Sequence, residues 1–364
     1  MREPTVELLD TIGPPSGGHG DIEFSNPSGL TCDAAGNLVV ADTGNHRIVK
    51  IDGDGNLLWS LGARDDRGAP RPGTAQGEFW SPQAVCADSE ANIYVADSRN
   101  CRVQKLSPDG EPITAFGSWG NDYGQFGGEG PIGIAVDEKG RVLVSDSHTV
   151  LGGNHRIQRF DSEGDYLDQF GSYGTGLGQF AGSVPIREYG LDFGPGIGPG
   201  PIGPAGIAID AEPGLLLDRN NLGGDIYVAD CDNDRIVSFR GTGEPAGVLG
   251  LGAVRRPRQL AIDSTGRLYV SGVHSHEPPY AVHDINDPHR WRIEPECRWV
   301  TVLNKSGAVI TRIGTPEAHD IMEHQLGRGL HSHGHGLAVS RTDESIVYVQ
   351  GGNCIFKFRV DWGE

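Results

Sequence analysis

At 364 residues, with 49 acidic against 30 basic side chains and a formal net charge of −19, the chain is a poor match for a nucleic-acid or anionic-membrane surface. No apolar run approaches the length of a membrane span and no signal-peptide core follows Met1 to Pro4, so the expectation is a soluble, cytoplasmic protein. Fifty-six Gly and 23 Pro suit a chain made largely of turns, and six Cys without a CxxC motif read as buried, reduced thiols.

Taken in order, the segment Val6 to Gly13 repeats the pattern of Leu57 to Gly62. From Gly29 to Gly62 four short apolar runs are each followed by a turn signal: Asp33 to Asn37, Asp42 to Asn45, Asp52 to Gly55, and Gly62. Runs of this length rich in Val, Ile and Leu, bounded by Gly, Asn and Asp, predict the strands of a four-stranded meander. One such sheet cannot bury its own faces and needs copies beside it. The copies follow. Asp88, Asp97, Arg102, Gly110 and Gly117 keep the spacings of Asp33, Asp42, Arg47, Gly55 and Gly62. Asp137 and Asp146, then Arg156, Gly164 and Gly171, keep them again, as do Asp230, Arg235, Gly243 and Gly250. A fifth copy keeps Asp263 to Gly272 and Gly307 to Gly314, and a sixth, starting at Gly336, lacks an outer strand. Val6 to Gly13 is the natural donor of that strand, and its pairing would close the ring and remove the open sheet edges.

Asn45-His46-Arg47-Ile48 and Asn154-His155-Arg156-Ile157, with Ala41-Asp42 and Ala96-Asp97 ahead of such segments, resemble the signature of NHL repeats. The resemblance implies an all-β, six-bladed β-propeller of four-stranded blades in a single domain spanning 1–364. The blades are expected at about 26–62, 81–117, 131–171, 204–250, 257–314, and 333–362 plus 5–13. Cys101 and Cys354 are expected in the place of His46, and Cys32 and Cys86 within inner strands.

In a propeller the loops leaving the outer strand and those joining the second to the third strand share one face, here the top. Most extra sequence falls there: 63–80, 118–130, 172–205 and 315–335 between blades, and 147–153 and 273–298 within them. Only 211–224 decorates the bottom. Loops beyond the usual connection length are commonly functional, so the top rim is the expected site. The Gly-Pro run 194–204 lacks GxxxxGK[ST] and reads as an irregular lid or linker rather than a phosphate loop.

Nine of the 13 His lie between His274 and His335. The pairs His274/His276 and His333/His335 both fall on the top face of neighbouring blades, and neutral imidazoles ligate zinc and other transition metals. They are the candidate ligands of a divalent metal. His283, His289, His319, His324 and His331 read as ordinary loop residues. His335-Gly336-Leu337 also resembles the Pro-His-Gly-Leu motif of peptidyl-hydroxyglycine amidating lyases, propellers that hold zinc with His at the start of alternate inner strands. The corresponding positions here are Ser28, Gln83, Ile132, Ala205 and Arg258, so Gln83 and Ala205 stand where that family needs His. Sugar-lactonase propellers use carboxylate and Asn ligands for calcium, and no motif here points to them.

Asp146, His148 and Arg258 are the catalytic candidates, and Gln83, Arg258 and Asp230 the substrate-binding ones. Asp42, Asp97, Asp146 and Asp230 are in the first instance a repeat feature that caps the following turn and orients the Asn-His-Arg segment. Two functions stay open. One is a metal-dependent lyase or hydrolase acting on a small polar, possibly anionic, molecule at the channel mouth. The other is a non-catalytic scaffold that recognises a peptide or protein partner.

Overall fold

The computed structural model describes residues 3–13, 22–128, 130–147, 154–180, 203–210, 225–254, 256–272, 300–315, 318 and 336–363. These form six four-stranded antiparallel sheets, each in simple sequential order except the last. Blade 1 comprises Leu30–Cys32, Leu38–Asp42, Arg47–Ile51 and Leu57–Gly62. The last sheet pairs Leu337–Val339, Ile346–Gly351 and Cys354–Asp361, and its outer strand is Thr5–Ile12 from the opposite end of the chain. That strand runs antiparallel from Thr5 opposite Asp361 to Ile12 opposite Ile355, with one irregularity between Leu8 and Asp10. The ring is therefore closed by the N-terminal strand, and no helix among the described residues is long and apolar enough to cross a membrane.

Strand burial follows radial position. Leu38–Asp42 is buried at every residue, whereas Leu57–Gly62 is exposed or half-buried throughout. A blade is covered on both faces by its neighbours, so its middle strands read as continuous apolar runs rather than alternating ones. The core lies in the seams. Val39, Ala41 and Ile48 of blade 1 pack with Val85, Ile93 and Val95 of blade 2, while Cys32, Leu38 and Val40 pack with Ala338 and Tyr348 of blade 6. The inner strands approach closely around the central channel. A Cβ on Gly29 would lie 2.5 Å from Ala84 Cα, and one on Gly206 would lie 2.6 Å from Arg258 O, which is why glycine stands there.

The five described cysteines are free and buried. Burial pushes the Cys32 thiol up to about 12. Cys32 and Cys86 do fall within inner strands. Cys101 takes the histidine's place, with φ 52° against 53° at His46. Cys354 does not: it pairs with Gly351 as Arg47 pairs with Asp42. It holds the arginine's register because the blade 6 turn is shorter than the others.

Candidate functional site

On the top face the repeat aspartate organises blades 1 to 4. Asp42, Asp97, Asp146 and Asp230 end their second strands and are 0% exposed. The Oδ2 of each accepts from an arginine Nε on the third strand, at 2.7 Å from Arg47, 2.8 Å from Arg102, 2.9 Å from Arg156 and 2.8 Å from Arg235. The same oxygens accept from Asn45, Asn100, Asn154 and Asn233 at 2.7–2.9 Å. The other oxygen takes a backbone N–H of the incoming loop: Ser25 for Asp42, Trp80 for Asp97, Gly127 for Asp146. Burial pushes the carboxyls of Asp42, Asp97 and Asp146 up, against the pull of these donors. Asp42, Asp97 and Asp230 do not cap the 3₁₀ turns that follow them through their side chains. What they hold is the arginine.

The arginines in turn clamp the loops. Arg102 donates to Thr74 O, Ala75 O and Glu78 O at 2.7–2.9 Å. Arg156 donates to Asp122 O and Gln125 O at 2.9 and 3.0 Å. Arg235 donates to Thr175 O, Gly176 O and Gln179 O at 2.7–2.9 Å. A buried Phe closes each loop: Phe79, Phe126 and Phe180, all 0% exposed.

In blades 1 and 4 the residue after the repeat asparagine reaches the next blade, and in blade 6 the residue ahead of Cys354 does so. His46 has left-handed φ, and its Nδ1 accepts the N–H of Ser81 in blade 2 at 3.1 Å. Asp234 does the same for Arg256 N–H at 2.7 Å, and Asn353 of blade 6 for Asn26 N–H of blade 1 at 2.9 Å. An acceptor at Nδ1 requires the neutral ring. Burial, helped by the Arg99 charge, pulls the His46 imidazole below its usual range.

Asp146 and Asp230, expected to touch substrate, thus sit inside these clusters. Gln83 and Arg258 are half-buried at the top end of the inner strands, in a ring with Ser28, Ile132 and Ala205. Arg258 N–H donates to Ser271 O at 2.8 Å, and Arg258 O accepts from Gly206 N–H of the preceding blade at 2.7 Å. His148, His274, His276, His333 and His335 lie outside the described residues. Among the described residues no three His, Cys, Asp or Glu gather as metal ligands. The described ring positions include no imidazole, so ligands for a metal would come from the four histidines of the loops. The channel encloses about 170 Å³. Its described lining is apolar apart from Thr31, Gln259 and Arg341, and Arg341 donates to Ala87 O at 3.1 Å on the bottom side.

The sequence reading missed the rim aromatics. Trp80, Trp119, Tyr123 and Tyr173 stand on the clamped loops at 39%, 75%, 72% and 60% exposure. Two are seated on neighbours: the Tyr173 ring lies on His155 at the top of blade 3, centroids 5.1 Å apart, whereas the Tyr123 ring stacks at 5.1 Å on Tyr166, which pairs with Phe160 at the bottom end of the outer strand, so Tyr123 lies on the flank of the propeller. The signal was present in the parallel phrases Gly117-Ser-Trp119 and Gly171-Ser-Tyr173, which put an aromatic at one loop position of two successive blades.

The family model for the NHL repeat matches residues 24–51, 79–106 and 129–160. The chain is 30% identical to NHL repeat-containing protein 3 of Mus musculus over 143 residues, 38% of this chain and 37% of that protein. It is 32% identical to peptidyl-glycine alpha-amidating monooxygenase A of Xenopus laevis over 154 residues, 40% of this chain and 15% of that protein. The chain thus spans well under half the length of these curated relatives. A gluconolactonase from Xanthomonas campestris superposes with a TM-score of 0.55 at 12% identity, over 98% of this chain and 95% of that one, a likeness of fold.

Proposed function

We propose that this chain, a six-bladed β-propeller built on NHL repeats, is a recognition module that binds an extended peptide segment of a partner protein across its top face. The observation that carries the reading is the set of exposed aromatics on loops fixed from beneath by buried Asp–Arg clusters. Large, rigid, amphipathic side chains on a preorganised backbone are what a binding surface uses to gain contact area at small entropic cost. The exposed Arg99, whose N–H donates to Trp80 O at 3.1 Å, favours a segment that carries carboxylates. The buried carboxylates Asp146 and Asp230 act here as positioning residues, each holding the arginine that holds a loop.

The test is selection of linear peptides from a display library on the native protein, followed by titration against Trp80→Ala, Trp119→Ala and Tyr173→Ala. Each substitution is expected to weaken the selected peptides about tenfold, near 1.4 kcal/mol, with unchanged circular dichroism. Selected peptides that bind the triple variant as tightly as the native chain would overturn the reading.

A second reading is favoured by the concentration of nine of the 13 His between His274 and His335. There a divalent metal held by His274, His276, His333 and His335 would polarise a bound oxygen, and Arg258 would anchor an anionic small-molecule substrate, with Gln83 facing it from across the channel. Stoichiometric metal in protein purified without a polyhistidine tag, lost in His335→Ala, would move the assignment to an enzyme. Metal-free native protein would remove it.

A further inference from the structure

On the bottom face most seams between blades are bridged by a cation from the third strand. In blade 1 Lys50 Nζ lies 2.9 Å from Asp33 Oδ2 and donates to Pro108 O in the turn of blade 2 at 2.9 Å. Lys105 of blade 2 donates to Ser162 O of blade 3 at 3.3 Å. Arg159 of blade 3 donates to Gly241 O and Thr242 O of blade 4 at 2.6 and 3.0 Å. Lys357 of blade 6 donates to Gly53 O of blade 1 at 2.6 Å. All four hold one register position, opposite Val39, Tyr94, Leu143 and Tyr348 respectively. Where the partner is Tyr, its ring also faces the ammonium, at 5.3 Å for Lys105 over Tyr94 and 6.0 Å for Lys357 over Tyr348.

Two seams depart from this rule. In blade 5 the position is Val302, opposite Tyr269. That seam is filled by Trp362, whose ring lies 6.2 Å from the Tyr269 ring and carries Arg267 at 3.8 Å. In blade 4 the position is Ser238, opposite Tyr227. The third strand supplies no longer side chain there, and a pocket of about 250 Å³ opens between blades 4 and 5, lined by Asp225, Tyr227, Ser238, Arg240, Leu249 and Lys305 among others.

The groups that receive the cation elsewhere are present at this seam. Tyr227 matches Tyr94 and Tyr348 in register. Asp210 matches Asp33: each donates its N–H to the carbonyl that starts the next strand, at 2.9 Å from Asp225 O and from Asn37 O. The turn residue matching Pro108, Ser162, Gly241 and Gly53 is Lys305, and its ammonium reaches back to Asp210 Oδ2 at 2.7 Å. The Lys305 side chain is 41% exposed, where Lys50 is 5% exposed, so the surrogate enters from the solvent side and leaves the interior of the seam to the pocket.

We propose that this pocket binds a short alkylammonium ion, seated between Tyr227, Asp225 and Asp210 where the seams above place a lysine or arginine of the chain itself. The ion's hydrocarbon part packs on Leu249 and the Tyr227 ring, and its ammonium meets the carboxylates. The charged residues lining the pocket are Asp225, Arg240 and Lys305, and Asp210 lies behind the Lys305 ammonium that pairs with it. The bound cation replaces the Lys305 ammonium at Asp210 and turns that lysine out to solvent. Burial and the Asp210 charge push the Asp225 carboxyl up, a cost that an added positive charge relieves. The ammonium can belong to a free amine or to a lysine of a bound peptide.

The probes are n-butylamine, which is the lysine side chain cut at Cβ, and the blocked peptide acetyl-Gly-Lys-Gly-amide. They are titrated side by side into the full chain at constant ionic strength, with calorimetry and thermal melts. The tighter of the two identifies the source. A saturable heat and a saturable rise in Tm are expected from at least one probe, and none from n-butanol. Ser238→Lys supplies the cation in cis, so it is expected to melt higher than the native chain and to lose the response. Lys305→Ala removes the competitor and is expected to tighten binding several-fold. Asp225→Asn, at the half-buried edge of the pocket, is expected to weaken it at least fivefold and serves where Ser238→Lys fails to fold. Absence of a saturable response to either probe, or an equal response in Ser238→Lys or Asp225→Asn, overturns the proposal.

Discussion

Removing Asp97 separates a carboxylate that builds the fold from one that performs chemistry. Its side chain is 0% exposed. Oδ1 accepts Trp80 N–H at 2.8 Å, and Oδ2 accepts from Arg102, Asn100 and Gln104 at 2.8, 2.9 and 3.0 Å. Asp97→Ala strands these donors at once. The Arg102 guanidinium, only 16% exposed as a side chain, is left as a poorly solvated charge. Breaking one side of a buried pair costs about 3–5 kcal/mol. The exposed pair Arg71–Glu78, at 3.4 Å with 48% and 28% side-chain exposure, is the internal control and is expected to cost less than about 1 kcal/mol on Arg71→Ala. Urea unfolding followed by both tryptophan fluorescence and circular dichroism gives the comparison, with coincident transitions as the check on a single ΔG. Asp97→Ala/Arg102→Ala should recover part of the loss, because the stranded charge is gone. If Asp97→Ala unfolds within about 1 kcal/mol of the native chain, the clusters are not what holds the top loops, and the positioning role given to Asp146 and Asp230 falls with them.

Deleting residues 1–12 uncovers Phe356, Phe358 and Val360, each 0% exposed, on a strand with no outer neighbour. Losing apolar burial at about 1.5–3 kcal/mol per side chain should lower Tm by about 10 °C, and a truncated chain that melts within a degree or two of the full one refutes closure as a stabilising device. For His46 the sign runs toward acid. Its folded pKa lies below the ordinary value, so the contribution is present above about pH 6.5 and is lost as pH falls through that value toward the folded one. His46→Phe should remove this segment of the stability–pH curve between about pH 7 and 5, and an unchanged slope in that variant counts against the Ser81 hydrogen bond.

The strand plan was legible because the repeat spacing carries it: Asp42 to Arg47 recurs as Asp97 to Arg102, and the structure makes both of them ion pairs. Their further partners were not legible. Arg102 ends on Thr74 O, Ala75 O and Glu78 O, backbone atoms whose position depends on the path of a loop and not on any residue type. The bottom-face bridges were legible in principle, since Lys50, Lys105, Arg159 and Ser238 all stand three residues after the repeat arginine. Reading them required knowing that this position faces the next blade, which only the closed ring establishes. The metal-ligand candidates His274, His276, His333 and His335 fall in the long top loops, outside the described residues.

The two faces divide the work of the repeat. On the bottom face each bridge joins one blade to the next, and its variation from seam to seam changes packing and opens a pocket where a serine replaces a cation. On the top face the conserved spacing within this chain, Asp to Asn to Arg, is turned inward on loop backbone. This leaves the outward loop positions free to vary between Trp119 and Tyr173 without cost to the clamp, because Arg156 and Arg235 grip carbonyl groups that every residue type supplies. A scaffold of that design keeps loop geometry independent of loop side chains. The carboxylates that look most like chemistry in the sequence, Asp146 and Asp230, are then among the ones that make the surface rigid, and the proposed recognition would use the exposed aromatics those loops carry.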